Sequence, residues 1–343
     1  MPRPALHLRM PGLLGPLPAD AVELIAEDSG LSDLAWLLSK GRHQRADEGG
    51  LLPPGFEVPA GPDGLPAGAL GLLGDGGTPG PHYWFRADPV HFLPDRDSLR
   101  MLGPEALSIG AGEAQSLTAA FNEFFADDGL MLVAQTPDHW YLRCSTPPRL
   151  STVPLQRAIA APIDQSLPGG PDAGWWHARM NEMQMFFHGH WVNQEREAAG
   201  RPTINGIWPW GGGRLSESSR SRWHQVFSDD PLVLGLARLA GARAEPWSGD
   251  AQAVLRATGA GDVLAAAPPL PGVSDGVAFR AWENAVQGLA RDWAGELRRA
   301  LDAGRVEGLV IDTGCTGRWI LNRHSRWALW RRPRAFARFL VPE

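Results

Sequence analysis

Residues 203–213 read TINGIWPWGGG, an apolar segment of strand-forming residues that runs directly into three consecutive glycines. A helical pattern precedes this segment at 174–199, and we predict a strand at 203–210. Helices and strands alternate after it, at 230–240, 263–266, 276–303 and 308–311. Alternation of this kind is typical of an α/β protein in which helices cover a largely parallel sheet.

The first half of the chain has a different pattern. A Gly- and Pro-rich segment at 49–81 is predicted to be a long loop. We predict an inserted α+β subdomain at 82–165, within an α/β core made of residues 1–81 and 166–343. The elements predicted in this half are helices at 19–27 and 31–39, a β-rich segment at 82–93, a helix at 105–127 and a hairpin at 130–144.

Composition limits the classes of function. The chain has 343 residues, 32 Lys and Arg against 38 Asp and Glu, a net charge of −6, and 15 tryptophans. No run of about 18 uncharged apolar residues is present, so we expect no membrane-spanning helix and no membrane partner. An acidic chain suits nucleic acid poorly, so we expect no nucleic-acid partner. Two cysteines and the lack of a signal-peptide pattern predict a cytoplasmic protein.

The glycine run at 211–213 is the first candidate ligand-binding feature. A strand that ends in glycines can bring backbone N–H groups close to an anion, and Arg214 follows directly. The run matches neither the dinucleotide-binding fingerprint nor the P-loop, since no Lys-Ser or Lys-Thr pair closes it. A ligand loop and an ordinary strand-ending turn both stay open from the residues alone.

Arg86, Asp88 and His91 form a second polar group. Arg86 and Asp88 share one face of a predicted strand, so they form either an ion pair within the sheet or part of a cleft wall. His188 lies on a polar stripe of the predicted helix, which is either a site wall or a buried hydrogen-bonded seam. His190 is only two residues away, and this spacing does not place two metal ligands on one helix face.

The chain resembles a known family in its middle region. The residues that carry the resemblance are HWVNQERE at 190–197, Gly200, Pro202 and NGIWPWGGG at 205–213. They are similar to a segment of the archaeal-type cofactor-independent phosphoglycerate mutases, and more closely to shorter bacterial phosphoglycerate-mutase-like regulatory proteins. The resemblance implies an alkaline-phosphatase-like sheet-and-helix core in reduced form, with the α+β subdomain inserted. It also implies two divalent metals, such as Mn or Zn, held by Asp and His near a Ser or Thr nucleophile.

The metal ligands that the resemblance implies are missing at three places. Residues 6–12 in the first strand contain no carboxylate. No histidine follows within a few residues of the strand at 263–266, and Asp312 is kept without a histidine directly after it. Two hard cations need several carboxylates and histidines. We therefore expect that the two-metal centre is lost and that the chain has no metal cofactor.

We expect a phosphoglycerate-mutase-like protein that binds a small phosphorylated or carboxylated metabolite in a regulatory or accessory role. Arginine binds such anions through paired hydrogen bonds, and a cleft beside an inserted subdomain is a usual place for a ligand. The expected ligand-binding residues are Arg86, Asp88, His91, His188, Asn193, Arg196, Asn205, Trp208, Trp210, Gly211, Gly212, Gly213 and Arg214.

Two alternatives stay open. In the first, the chain is an active metal-dependent phosphoglycerate mutase or phosphatase that uses unexpected ligands. In the second, it is a structural protein without a small ligand, and its tryptophans contact a protein partner or a second copy of the chain. The spare metal ligands for the enzyme are Asp20, Glu182, His188, Asp229, Asp230, Asp312 and His324.

Overall fold

A computed structural model describes residues 5–18, 22, 25, 29–45, 53–58, 64–95, 98–159, 162–216, 219–273, 276–328 and 330–341. The chain forms two compact units, each described separately below. The core unit comprises Met1–Phe56 and Arg220–Glu343, and the inserted unit comprises Glu57–Ser219. The predicted subdomain at 82–165 lies inside the inserted unit, which extends beyond it on both sides. Asp20 and most of the predicted helix at 19–27 lie outside the described residues.

The strands, in chain order, are β1 (Ala5–Arg9), β2 (Arg42–Gln44), β3 (Phe56–Glu57), β4 (Tyr83–Asp95), β5 (Ser98–Leu102), β6 (Leu130–Ala134), β7 (Trp140–Cys144), β8 (Gly206–Gly213), β9 (Arg220–Ser221), β10 (Gln225–Ser228), β11 (Arg243–Glu245), β12 (Val263–Ala266), β13 (Gly308–Asp312) and β14 (Arg318–Asn322). The α-helices are α1 (Ser32–Lys40), α2 (Ala67–Gly74), α3 (Pro104–Leu107), α4 (Ala111–Phe124), α5 (Leu155–Ile159), α6 (Ala173–Gly189), α7 (Trp191–Ala198), α8 (Pro231–Leu239), α9 (Ala251–Ala257), α10 (Gly276–Leu289) and α11 (Gly295–Asp302). A π-helical segment, Ala290–Ala294, joins α10 to α11.

The core unit is built on a seven-stranded sheet in the order β11-β10-β12-β1-β13-β14-β2. The five strands from β11 to β13 are parallel to one another. β14 pairs antiparallel with β13, and β2 pairs antiparallel with β14. Leu6 and Leu8 on β1 are completely buried in the main apolar core. Since side chains alternate between the two faces of a strand, His7 and Arg9 lie on the opposite face of the sheet.

Helices of the core unit cover the apolar face of this sheet with tryptophan-rich packing. Trp282 and Trp293 are buried in the same apolar cluster as the β1 leucines. The indole N–H of Trp282 donates to the Gly12 carbonyl at 2.8 Å, and that of Trp293 donates to the Gly249 carbonyl at 2.9 Å. Each ring therefore buries its apolar surface without leaving its N–H unpaired. Within the described residues, no helix has the length and apolarity needed to cross a membrane.

The inserted unit contains a second sheet, in the order β5-β4-β7-β6, with β8 pairing along β4. All of these pairings are antiparallel. The long strand β4 is therefore the centre of the sheet, because it contacts β5, β7 and β8. Helices α2 and α6 pack against β8, and α4 packs against β6.

Two sequence predictions about this region are wrong. The strand predicted at 203–210 is observed as β8, but it pairs antiparallel with β4 and not within the parallel sheet. Periodicity predicts a strand but not its partner, and this partner lies more than a hundred residues earlier. The predicted loop at 49–81 contains the buried helix α2. Its glycines suggest a loop, but Gly68 is needed because a Cβ there would overlap the backbone of Phe85.

Candidate functional site

A group of charged side chains lies at the carboxyl ends of parallel strands in the core unit. Arg9 ends β1, Asp312 ends β13, and the two are paired in register. Arg318 begins β14 and lies opposite Asp312. In open α/β sheets, ligands bind outside this edge of the sheet. We name the group the strand-end cluster; its members are His7, Arg9, Asp312 and Arg318.

Asp312 is the buried acceptor of the strand-end cluster. Its Oδ2 lies 3.3 Å from both His7 Nε2 and Arg318 Nε, and its Oδ1 accepts from the Gly314 backbone N–H at 2.9 Å. Burial opposes ionisation, but the hydrogen bonds from His7 and Gly314 and the charge of Arg9 hold the pKa of Asp312 below its ordinary value. Asp312 is therefore an ionised carboxylate at neutral pH.

His7 is the buried partner of this carboxylate, with 2% of its surface exposed. Burial lowers the pKa of His7 despite the opposing hydrogen bond to Asp312, and the charges of Arg222 and Arg318 lower it further. The imidazole is therefore neutral at pH 7, and we assign its proton to Nε2, which faces Asp312. The edge of Trp223 packs against the imidazole ring, with 5.7 Å between the ring centroids.

The arginines give the strand-end cluster an excess of positive charge. Arg318 Nε lies 3.3 Å from the carboxylate of Asp312, and the charge of Arg9 also acts on that carboxylate. Arg9 Nε is buried and has no hydrogen-bond partner in the part of the chain that the structure describes. Buried N–H groups are normally paired, so this unpaired donor is unusual.

Metal-ligating side chains are dispersed. Across the described ranges, no group of three or more His, Cys, Asp or Glu side chains is placed to hold a metal ion. Of the spare ligands named above, Glu182 forms an ion pair with Arg179 at 2.7 Å. Asp230 caps α8 by accepting from the Leu232 backbone N–H at 2.9 Å.

A second buried polar group, in the inserted unit, contains three of the predicted site residues. Tyr141 Oη donates to Asp75 at 2.6 Å and accepts from Arg86 Nη1 at 3.0 Å. Arg86 Nε donates to Asp88 Oδ1 at 2.6 Å, which is the ion pair that the sequence left open beside a cleft wall. Trp210 Nε1 donates to the other oxygen of Asp88 at 2.6 Å. We name this chain of contacts the Tyr141 network.

Two groups of the Tyr141 network, Tyr141 and Arg86, have shifted pKa values. Burial raises the pKa of Tyr141 far above its ordinary value, although the charge of Arg86 opposes that rise. Burial alone would lower the pKa of Arg86. The charge of Asp88 and its hydrogen bond outweigh burial, so the pKa of Arg86 lies above its ordinary value. A protonated phenol therefore lies beside a charged guanidinium group.

Two predicted ligand contacts, Asn193 and Asn205, bond to the backbone of the inserted unit. Asn193 Nδ2 donates to the carbonyls of Phe187 and Ile204 at 2.7 and 2.8 Å, and its Oδ1 accepts from the Ile204 N–H at 2.7 Å. Asn205 bonds to both backbone polar groups of Phe92, at 2.7 and 3.0 Å. These amides hold the segment that leads into β8.

Arg196 and His91 also make contacts inside the inserted unit. Arg196 is buried, and its guanidinium donates to Glu113 and to the Pro202 carbonyl, both at 2.8 Å. His91 Nδ1 lies 2.8 Å from the Thr203 carbonyl oxygen. This region carries the family resemblance. In the structure, the polar side chains of Arg196 and His91 bond within the inserted unit.

The glycine run at the end of β8 is closely packed. Gly211 has φ +60°, and its N–H donates to Thr152 Oγ1 at 3.2 Å. A Cβ on Gly212 would lie 2.5 Å from the hydroxyl of Tyr83, and one on Gly213 would lie 2.6 Å from Pro66. Close packing therefore accounts for small residues at these positions.

The remaining predicted site residues are Trp208, His188 and Arg214. Trp208 is buried, and its Nε1 donates to the Val153 carbonyl at 2.8 Å. His188 and Arg214 are exposed. The structure thus brings Arg86, Asp88 and Trp210 into one network. Ligand binding by these residues stays a prediction.

The strand-end cluster contains only one residue, Asp312, that sequence reasoning singled out, and then as a spare metal ligand. A signal for it was present in residues 5–9, ALHLR, where His7 and Arg9 alternate with leucines. This alternation places a histidine and an arginine on the face opposite the apolar core. The other members come from distant segments that the sequence does not bring together.

Comparison with known proteins shows similarity at the level of fold. The sequence matches no protein-family model and no curated protein. The PH0037 protein from Pyrococcus horikoshii has a similar structure, with a TM-score of 0.53 and 15% identity over 94% of this chain and 88% of that chain. Cofactor-independent phosphoglycerate mutase from Thermoplasma acidophilum DSM 1728 is matched with a TM-score of 0.44 and 17% identity, over 93% of this chain and 89% of that chain.

These findings define the class of the protein. The chain is a mixed α/β protein of the alkaline-phosphatase-like fold, as the sequence predicted. The similarity to the PH0037 protein is at 15% identity and therefore shows the fold alone.

Proposed function

We propose that the chain binds a small phosphorylated or carboxylated metabolite at the strand-end cluster, in a regulatory or accessory role and without a two-metal centre. Arg9 carries this proposal. Its Nε is a buried donor without a partner among the described residues, at the edge of the sheet where α/β proteins bind ligands. An anionic oxygen is the acceptor that a guanidinium binds most strongly.

The balance of charge in the strand-end cluster supports an anion. Arg9 and Arg318 are two cations beside the carboxylate of Asp312. Guanidinium groups bind phosphate and carboxylate through parallel hydrogen bonds, and they stay charged at any physiological pH. Asp312 bonds to His7 and Arg318, so it orients two members of the cluster and does not itself contact the anion in this proposal.

The donors of the strand-end cluster do not fit the two divalent metals that the family resemblance implies. A two-metal site needs several carboxylates and histidines, whereas the cluster offers one carboxylate and one imidazole that are already bonded to each other. Its other side chains are guanidinium groups, which repel cations. We therefore derive no chemical step through a metal at this position.

A calorimetric titration with inorganic phosphate tests the proposed site. The parent protein should bind phosphate, and Arg9→Gln should weaken binding at least about tenfold, because a hydrogen bond to a charged group is lost. Arg280→Gln is the matched control, since Arg280 is an exposed arginine on α10 of the same unit. Equal affinity in the parent and Arg9→Gln proteins would place the anion elsewhere.

A further inference from the structure

Four aromatic rings form a connected row on the inserted unit. The Phe124 ring, at the end of α4, lies 5.2 Å from that of Phe186 on α6, measured between ring centroids. The Phe186 ring lies 6.3 Å from that of His190, which in turn lies 5.7 Å from the Trp191 ring at the start of α7. We name this group the aromatic face; its members are Phe124, Phe186, His190 and Trp191.

Much of the aromatic face is open to solvent. Phe124 is 63% exposed and Trp191 is 52% exposed, whereas Phe186 is half-buried. Met185, next to Phe186 on α6, is 76% exposed. Single exposed apolar side chains are common on protein surfaces, but exposed apolar groups that touch one another mark interaction sites.

Buried rings support the aromatic face from below. The Phe186 ring contacts those of Phe121, Phe125 and Phe187, at centroid distances of 6.2, 5.7 and 5.3 Å. All three supporting residues are completely buried. A surface that is held in place before binding loses little conformational freedom when a partner arrives, so the aromatic face is preorganised.

Carboxylates surround the aromatic face. Glu195 lies one helical turn after Trp191 on α7, and Glu123 and Asp127 lie within three residues of Phe124 in the chain. These three acidic residues are exposed, and none of them forms an ion pair with another described residue. The rim of the aromatic face is therefore negatively charged.

The arginines of the three helices do not neutralise this rim. Helix α4 contains no Lys or Arg. Arg179, the single arginine of α6, pairs with both Asp128 and Glu182, at 2.9 and 2.7 Å. Arg196, the single arginine of α7, is buried and pairs with Glu113 at 2.8 Å.

This charge selects the kind of partner. A negative rim repels nucleic acid and anionic lipid, and it attracts a cationic partner. A two-fold interface between copies of this chain would place the same carboxylates opposite each other, which is unfavourable. The aromatic face is made by side chains on helices and offers no strand edge for pairing, so the partner must bind through side chains. An amphipathic helix presents apolar and charged side chains on separate sides and binds apolar surfaces in this way.

We propose that the aromatic face binds a basic amphipathic helix of a partner protein. The apolar side chains of this helix pack on the exposed rings, and its Lys or Arg side chains pair with the surrounding carboxylates. The surface belongs to the inserted unit and the proposed anion site belongs to the core unit, so loss of phosphate binding leaves this proposal intact.

A fluorescent Leu/Lys peptide of about four helical turns, with leucine along one side and lysine along the other, is the probe. We would titrate the full chain into this peptide at pH 7.5 and follow the fluorescence anisotropy. The expected result is saturable binding that weakens as the salt concentration rises. A Leu/Glu peptide with the same pattern should not bind. Equal binding of the two peptides would overturn the proposal.

Variants of the exposed rings assign the binding surface. Trp191→Ala and Phe124→Ala should each weaken Leu/Lys peptide binding at least about tenfold, because exposed aromatic anchors contribute most at such interfaces. Trp330→Ala is the control, since that side chain is 80% exposed but belongs to the core unit, and it should leave binding unchanged. The replaced side chains lie on different helices, so one variant decides if the other does not fold. Unchanged affinity in the folded ring variants would overturn the proposal.

An isosteric pair of variants on α7 tests the charge. Glu195→Gln should weaken peptide binding about 2- to 5-fold, as expected for the loss of an exposed ion pair. Glu197→Gln is the matched control, because Glu197 is exposed on α7 but two residues further on, away from the side of Trp191. Equal weakening by both variants would indicate general charge attraction and contradict the proposal. Sedimentation velocity of the parent protein alone completes the test, since a dimer that is lost in Trp191→Ala would assign the aromatic face to a second copy and overturn the proposal.

Discussion

Arg9 and Asp312 are register partners on the adjacent parallel strands β1 and β13, yet their polar atoms are used in opposite ways. The carboxylate of Asp312 accepts hydrogen bonds from two side chains and one backbone N–H. Nε of Arg9 is buried and has no partner among the described residues. The pair thus combines a carboxylate fixed by several hydrogen bonds with a guanidinium N–H that has none among the described residues.

The first prediction concerns the fixed carboxylate. Asp312→Asn should destabilise the protein by about 2 kcal/mol, because hydrogen bonds to an ionised group contribute roughly 1.5–3 kcal/mol. Urea unfolding followed by tryptophan fluorescence measures the change. Asp164→Asn is the control, since Asp164 is exposed, and its effect should stay within about 0.5 kcal/mol. Equal midpoints for the two variants would show that Asp312 does not hold the cluster.

The second prediction is a pH dependence that arises from His7. Its pKa in the folded protein lies below the unfolded value of about 6.5, so below that pH the unfolded chain binds a proton that the folded chain does not. The resulting stability is complete above the unfolded pKa and is lost as the pH falls below it. The urea midpoint of the parent protein should therefore drop more between pH 7.5 and 5.5 than that of His7→Gln. Parallel drops would contradict the buried, neutral state of His7.

A third prediction separates the Tyr141 network from anion binding. Tyr141→Phe removes the hydroxyl that joins Arg86 to Asp75, which leaves two buried charged groups short of a partner. We expect a loss of about 1–3 kcal/mol in stability, measured by thermal unfolding. Phosphate affinity should stay the same, because the proposed site lies in the other unit. Weaker phosphate binding with unchanged stability would assign the network to the ligand.

The fourth prediction tests why β8 ends in glycines. Gly212→Ala places a methyl group against Tyr83 and Phe85, and overpacking of this kind costs about 1–3 kcal/mol. Gly189→Ala is the matched control, because nothing lies within 4 Å of the added Cβ. Calorimetric unfolding compares the two variants. A Gly212→Ala protein as stable as the control but deficient in phosphate binding would favour a ligand loop.

Local patterns predicted several elements of the fold well. The strand Val263–Ala266 has the predicted bounds, because a short apolar run between turn-forming residues is a strong signal. The partner of β8 could not be predicted, since pairing with the distant β4 depends on contacts that periodicity does not contain. The buried helix α2 was missed because its glycines suggest a loop, although they allow close packing against the sheet.

The candidate site was predictable only in part, for a chemical reason. Spacing left both an ion pair and a cleft wall open for Arg86 and Asp88, and the structure shows the ion pair. Asn193 and Asn205 were selected because they lie in the segment that carries the family resemblance, and the structure shows both amides bonded to the backbone. The strand-end cluster joins both ends of the chain in space, so its residues share no local motif that a sequence could reveal.

Metal-independent binding of a phosphorylated metabolite is the function that we propose for this chain. The most direct test is a calorimetric titration of the purified protein with 3-phosphoglycerate, once in EDTA and once in manganese, with the product examined afterwards for 2-phosphoglycerate. We expect the same affinity in both conditions and no conversion of 3-phosphoglycerate to 2-phosphoglycerate. Binding or conversion that appears only with manganese, or no binding in either condition, would contradict it.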